Sequence, residues 1–238
     1  MLVGGFIVGG ESLQRVIVRG LGPSLASVGI QGAIADPILE LYDSTGALVS
    51  QNDNWATGPD PLPEGMSPNW PTESAIMANL LPGSYTAVLH EGASSSGVGL
   101  IEIYDLNPAT SQIRNISTRS EVGMGDNVMI GGIIIGGMEP TRVIVRAVGP
   151  SLTAAGVAEA LQDPILELHN GDGSLLFQND NWRDTQEAQI LASTIPPSDN
   201  RESAIVATLP PGNYTAIVRG AANSTGVALV EVYNLNVD

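Results

Sequence analysis

Cysteine is absent from the 238 residues. That excludes disulfides, thiolate metal sites and a cysteine nucleophile. Positive charge is scarce: 9 Lys and Arg stand against 25 Asp and Glu, for a formal net charge of −16. Such a chain lacks the clustered basic residues that displace counterions from nucleic acid. It is also not drawn to an anionic membrane surface. Long hydrophobic runs are missing too. The longest, Val128–Met138, falls well short of the roughly 20 residues a bilayer-spanning helix needs, so no membrane insertion is expected. Met1–Gly10 has the look of a signal h-region but carries no basic flank, and its pattern recurs internally at Met129–Gly137. It reads as a mature strand.

The equipment of catalysis is equally thin. There are 2 histidines, His90 and His169, and they occupy non-equivalent positions: His169 matches Tyr42, whereas His90 matches Arg219. Neither GxSxG nor HExxH occurs. Glu73-Ser74 and Glu202-Ser203 pair an acid with a hydroxyl but have no base beside them. The chain is therefore not expected to be an enzyme. Two Phe and five Tyr are few for a lectin.

What the chain does have is a repeat. Asp36–Trp55 reads DPILELYDSTGALVSQNDNW, and Asp163–Trp182 reads DPILELHNGDGSLLFQNDNW. A long-period repeat must be recognised before anything else, because missing it misreads the fold. Within it, Ile38–Tyr42 alternates apolar and polar residues, so Leu39 and Leu41 share one strand face and Glu40 the other. Ser44-Thr45-Gly46 supplies a turn, Ala47–Gln51 a returning strand, and Asn52-Asp53-Asn54 closes the unit with residues that bond their own backbone.

Further pairs follow in order. Leu2–Gly10 matches Met129–Gly137. Arg15–Arg19 matches Arg142–Arg146, and both alternate charge with aliphatics as half-exposed strands do. Gly22-Pro23-Ser24-Leu25 matches Gly149-Pro150-Ser151-Leu152, with Pro suited to the first turn of a short helix. Ala154–Leu161 has the composition for one or two helical turns. The copies diverge after the tryptophans, in a proline-rich loop over 56–71 and in a second copy with a short helix expected over Gln186–Ser193. They rejoin at Glu73 and Glu202, and end in strand pairs through Leu106 and Leu235. Seven strands per copy with closely spaced turn signals predict an all-β protein: two tandem antiparallel β-sandwich domains, jelly-roll-like, over residues 1–108 and 109–238.

The connector breaks the symmetry. Ile113, Arg114, Asn115, Ile116, Ser117, Thr118 and Arg119 read as a strand leading into the second copy, and nothing comparable precedes the first. Either this strand serves the first domain, or that domain has an open edge able to take a strand from another chain.

Two groups of residues are candidates for binding. Asp36, Asp43, Asn52 and Asp53, with Asp163, Asp172, Asn179 and Asp180, supply the oxygen ligands calcium prefers; the alternative is that they are Asx turns ending strands. Trp55, Trp70 and Trp182 are candidates for a platform that stacks sugar rings; the recurrence of Trp55 and Trp182 at equivalent positions suits core or rim packing better.

Taken together, RVIVRxxGPSL, DPILELxxxxGxL, QNDNW, PGxYTAxV and GVxLxEVYxL resemble a tandem repeat of large secreted proteins of environmental bacteria. In that family a segment like NISTRxxVGxGDNVMIGG leads each repeat; here it leads the second copy. DPxLxLxDxxG, NDN and PGxY are also similar to the bacterial pre-peptidase C-terminal type of β-sandwich. Both resemblances imply an extracellular or cell-surface, non-catalytic module. The expectation is a self-assembling structural protein, its own copies as partners, in filaments joined by strand donation. The alternative is a calcium-dependent carbohydrate-binding or adhesion module of a larger secreted protein, with extracellular glycans as partners.

Overall fold

The structure, a computed structural model, describes residues 1–91, 97–106 and 113–236. It divides into two compact units, Met1–Arg114 and Asn115–Asp238. The expected boundary after residue 108 falls outside the described residues.

The first unit contains β1 (Leu2–Val8), β2 (Gln14–Leu21), β3 (Ile38–Asp43), β4 (Leu48–Asn52), β5 (Ser74–Leu80), β6 (Gly83–His90) and β7 (Leu100–Asp105). All pairings are antiparallel, in the orders β1–β6–β3–β4 and β5–β2–β7. The second unit adds β8 (Ile113–Val122), β9 (Met129–Ile135), β10 (Thr141–Val148), β11 (Pro164–Asn170), β12 (Leu175–Asn179), β13 (Ser203–Leu209), β14 (Gly212–Gly220) and β15 (Gly226–Asn234). Its sheets run β13–β10–β15–β8 and β12–β11–β14–β9. Counted from β8, the first strand lies beside the last and the second beside the seventh. That is the order of a jelly roll, two Greek keys folded into a sandwich. The first unit has the same order without the first strand, among the described residues. The all-β sandwich architecture expected from the repeat is present in both.

The alternating positions build each core. Leu39, Leu41, Ala87, Leu89, Val16 and Val18 meet between the sheets of the first unit. Leu166, Leu168, Ala216, Val218, Val143 and Val145 are their counterparts in the second. Hairpin turns at Gly46 (φ 81°) and Gly173 (φ 85°) use the left-handed conformation glycine adopts freely. Gly22 and Gly149 are fixed by closeness instead: a Cβ on either would lie 2.1 Å from a carbonyl oxygen, of Ile34 or Leu161.

Three expectations are corrected. Arg15–Arg19 and Arg142–Arg146 are not half-exposed. They lie in β2 and β10, the inner strands of their sheets, and Val16, Ile17 and Val18 are all fully buried, as are Ile144 and Val145. Both sheet faces are covered there, so charge at the strand ends does not mark an exposed face. The helical turns predicted over Ala154–Leu161 fall earlier, as a 3-10 turn at Pro150–Thr153, where proline fixes the backbone; its counterpart is α1 (Pro23–Ser27). Trp182 is not a rim residue. It is 2% exposed and packs with Ile144, Ala204, Val206 and Ile190, the last on α2 (Glu187–Ala192). Trp55 remains half-buried.

Candidate functional site

The polar residues singled out by the repeat form one staple in each unit. At its centre is a glutamate with no exposed surface, Glu73 or Glu202. The Glu73 carboxylate accepts the N–H of Gly22 at 3.1 Å, and both the N–H and the hydroxyl of Ser24 at 2.7 Å. Glu202 accepts the N–H groups of Gly149 and Ser151 at 3.2 and 3.0 Å, and the Ser151 hydroxyl. The neighbouring serine reaches the other way. Ser74 donates to the carbonyls of Pro37 and Asp53, and Ser203 to those of Pro164 and Asp180. The Glu-Ser dipeptides are thus consumed in holding loops, which sequence reasoning missed. The available signal was that the Glu-Ser dipeptide and the Gly-Pro-Ser motif recur together in both copies, an anion acceptor and a set of backbone donors.

Of the other predicted residues, Asn52, Asn179, Trp55 and Trp182 join the same network. Asn52 Oδ1 accepts the Ala75 N–H at 2.9 Å and Asn179 Oδ1 the Ala204 N–H at 2.9 Å, while their amides donate to the carbonyls of Asn54 and Asn181. Trp55 and Trp182 donate backbone N–H to the carbonyls of Glu73 and Glu202. Asp43 sits in an Asx turn: its Oδ1 accepts the Thr45 hydroxyl at 2.7 Å and the Thr45 N–H at 2.8 Å. Those bonds hold its carboxyl below the usual carboxylate range. Asp172 does the same with Ser174. Among the described residues no three acidic or histidine side chains gather in metal-binding geometry. Asp36 is exposed, and Asp163 gives its carbonyl to Ala221. Asp180 stands apart: burial, and then the charges of Asp163 and Asp184, push its carboxyl up.

Each unit also carries an arginine triad on a sheet face. Arg19 bonds Glu102 at 2.7 Å, the Tyr104 hydroxyl at 3.0 Å and the Met66 carbonyl at 3.1 Å. Arg146 repeats this with Glu231 at 3.0 Å, Tyr233 at 3.3 Å and the Ile195 carbonyl at 2.8 Å. In both, the guanidinium ties the sheet to the loop that lies over it. Arginine suits this because its planar fork serves several acceptors at once.

Where the copies differ, the second presents a shallow cavity of about 340 Å³ lined by Glu167, Gln178 and Arg219. Beside it, His169 contacts Glu167 at 3.0 Å and the Gly173 carbonyl at 3.0 Å, and the Glu167 contact raises its pKa. The first unit puts Tyr42, Glu40 and His90 in these places, with the Tyr42 hydroxyl donating to Glu40 at 2.7 Å.

The predicted assembly strand is a strand. β8 spans Ile113–Val122, and its Asn115–Val122 pair antiparallel with Tyr233–Gly226 of β15. It therefore completes the second unit's jelly roll. Asn115 is buried and donates to the Val232 carbonyl at 3.2 Å.

Comparison with known proteins adds little to this. No protein-family model matches the chain, and no curated protein matches it. Among solved structures, a presumed secreted protein from Eubacterium rectale is similar at 10% identity and a TM-score of 0.23; the match covers 96% of this chain and 66% of that protein. What the coordinates define is a class: an all-β protein of two tandem sandwiches.

Proposed function

We propose that this chain is an extracellular structural protein that assembles with copies of itself, as a filament subunit whose sandwiches are joined by donated strands. One observation carries the reading: β7 pairs with β2, and among the described strands none lies on its other side. The polar clusters support it, because the residues best suited to chemistry are spent on cohesion. A strand given by one subunit to the next is a head-to-tail contact, and such contacts generate filaments when they do not close. The resemblance to secreted bacterial repeats supports the extracellular setting. The test is gel filtration and negative-stain microscopy of the whole chain over a wide concentration range. Oligomers or fibres are expected, and a single monomer peak at the highest concentration overturns the reading.

A calcium-dependent adhesion or carbohydrate-binding module is the second reading. One feature favours it: burial, and then the charges of Asp163 and Asp184, push the Asp180 carboxyl up, and a divalent cation would relieve the repulsion. Melting with calcium and then with a chelator decides, since a ligand held by the native state alone must raise its stability. A glycan array addresses the sugar.

A further inference from the structure

The turn between β11 and β12 carries two dipeptides of one chemical kind. Asn170-Gly171 and Asp172-Gly173 each set a side-chain carbonyl carbon within reach of the next backbone nitrogen, and glycine has no side chain to hinder the approach. Asn170-Gly171 is the one Asn-Gly pair in the sequence. The turn treats the two dipeptides differently. The Gly173 N–H donates to the Asn170 carbonyl at 3.0 Å, so that nitrogen is engaged. Asp172 Oδ1 accepts the Ser174 hydroxyl and N–H at 2.6 and 2.9 Å, and these bonds hold the carboxyl below its ordinary range. An ionised carboxylate resists a nucleophile. Gly171, by contrast, is exposed, and its N–H makes no hydrogen bond among the described residues. The Ser174 N–H also reaches Asn170 Oδ1, at 2.9 Å. It therefore sits on the oxygen where negative charge develops when the amide is attacked.

We propose that Asn170 is a self-modifying site, which deamidates through its own main chain while Asp172 is spared. The Gly171 nitrogen attacks Asn170 Cγ, an intramolecular step favoured by proximity. The new N–Cγ bond closes a five-membered imide, the Cγ–Nδ2 bond breaks, and Nδ2 leaves as ammonia with the Gly171 amide proton. Water then opens the imide at either carbonyl. Opening at Cγ restores the main chain and leaves aspartate at position 170. Opening at the backbone carbonyl routes the chain through the side chain, as isoaspartate.

The two products differ in consequence. Aspartate keeps the turn, because the first unit already holds that arrangement: the equivalent Asp43 accepts the Thr45 and Ala47 N–H groups at 2.8 and 3.1 Å. Isoaspartate lengthens the main chain inside the turn and displaces the Asn170 N–H and carbonyl from Ser174 and Gly173. Those bonds fix the start of β12, which pairs with β11 and, among the described strands, with no other. Either product adds a negative charge to a chain already at −16. The first unit has no such chemistry at this turn, since Asp43 is followed by Ser44 and held ionised by its own turn. The reaction is independent of whether the chain assembles.

The whole chain is kept in warm, mildly alkaline buffer and sampled over weeks by ion exchange and tryptic mass mapping. A more acidic species is expected to accumulate. Its peptide 147–183 should carry the mass gain of an amide turned into an acid, placed at Asn170 by fragmentation, as a mixture of aspartate and isoaspartate. Asn170 should change before any other asparagine, and Asp172 should remain unisomerised. Two variants sharpen the result. Asn170→Asp should elute from the start with the acidic species and melt like the parent. Asn170→Gln keeps an amide beside Gly171 but cannot close the five-membered ring, so it should stay at the parent's elution position. The isoaspartyl fraction should exchange the amide hydrogens of β12 faster than fresh protein. Retention of Asn170, earlier loss of another asparagine, or acidification of Asn170→Gln at the parent's rate overturns the proposal. Isomerisation of Asp172 ahead of Asn170 overturns it equally, since the turn would then not discriminate between its two glycines.

Discussion

Ser24 gives the buried Glu73 both of its donors, the backbone N–H to Oε1 and the hydroxyl to Oε2, each at 2.7 Å. In the second unit Ser151 gives both donors to Oε1 of Glu202. A carboxylate without solvent is stable only when such donors replace its water. Replacing Glu73 by Gln swaps an all-acceptor group for one with an amide that faces N–H donors. Glu73→Gln is expected to cost about 3 kcal/mol in urea unfolding, since bonds to charged groups are the strong ones and their loss strands buried donors. Glu202→Gln should behave alike, and Glu64→Gln, on the exposed proline-rich loop, should be close to neutral.

The tryptophans give a second comparison. Trp182 is enclosed by Ile144, Val206 and Ile190, its indole N–H donates to the Asp199 carbonyl at 3.1 Å, and Arg183 lies 4.0 Å over its ring. Trp55 is half-buried and bonds the Trp70 carbonyl at 3.1 Å. Trp182→Ala should destabilise by about 3–5 kcal/mol, the range for a fully buried aromatic. Trp55→Ala should cost clearly less. Equal losses in thermal melts would contradict the unequal packing.

His169 makes a prediction with a sign. Its bond to Glu167 raises its folded pKa above the ordinary value of 6.5. The folded state therefore holds the proton more tightly than the unfolded one. The resulting stability is fully present below pH 6.5 and is lost as pH rises through the raised value. Melts between about pH 5.5 and 8.5 should show that decline, and His169→Gln should flatten it. An NMR titration of the ring gives the folded pKa directly.

Much of this architecture was legible because the repeat shows each pattern twice. Leu39 and Leu41 face the core as their alternation predicts, and the connector is a strand as its β-branched residues suggest. What misled was context. Ile17 and Ile144 read as members of half-exposed strands, because a second covering layer is invisible to a period-2 pattern. Trp182 read as a rim residue because the loop that buries it, carrying Ile190, lies in the stretch where the copies diverge. Glu73 and Glu202 were seen as acids without a base, whereas their partners are backbone N–H groups, which no side-chain motif displays. The partner of β8 is not legible in the sequence, since strand character says nothing about it; in the structure Asn115–Val122 pair with β15.

Asp180 provides the last test. Burial, reinforced by Asp163 and Asp184, raises its folded pKa above the ordinary 3.8. A carboxyl whose folded pKa is raised is disfavoured in its charged form by folding, so it costs stability at neutral pH and ceases to do so below the unfolded value. Its other bond is made by the backbone carbonyl, which accepts the Ser203 hydroxyl at 2.7 Å and survives a side-chain change. Asp180→Asn should therefore stabilise the protein modestly at pH 7 and leave it unchanged near pH 3. Loss of stability at pH 7 would mean that the carboxylate does something the surrounding charges do not account for. If calcium raises the melting temperature of the parent chain and not of Asp180→Asn, that role is cation binding.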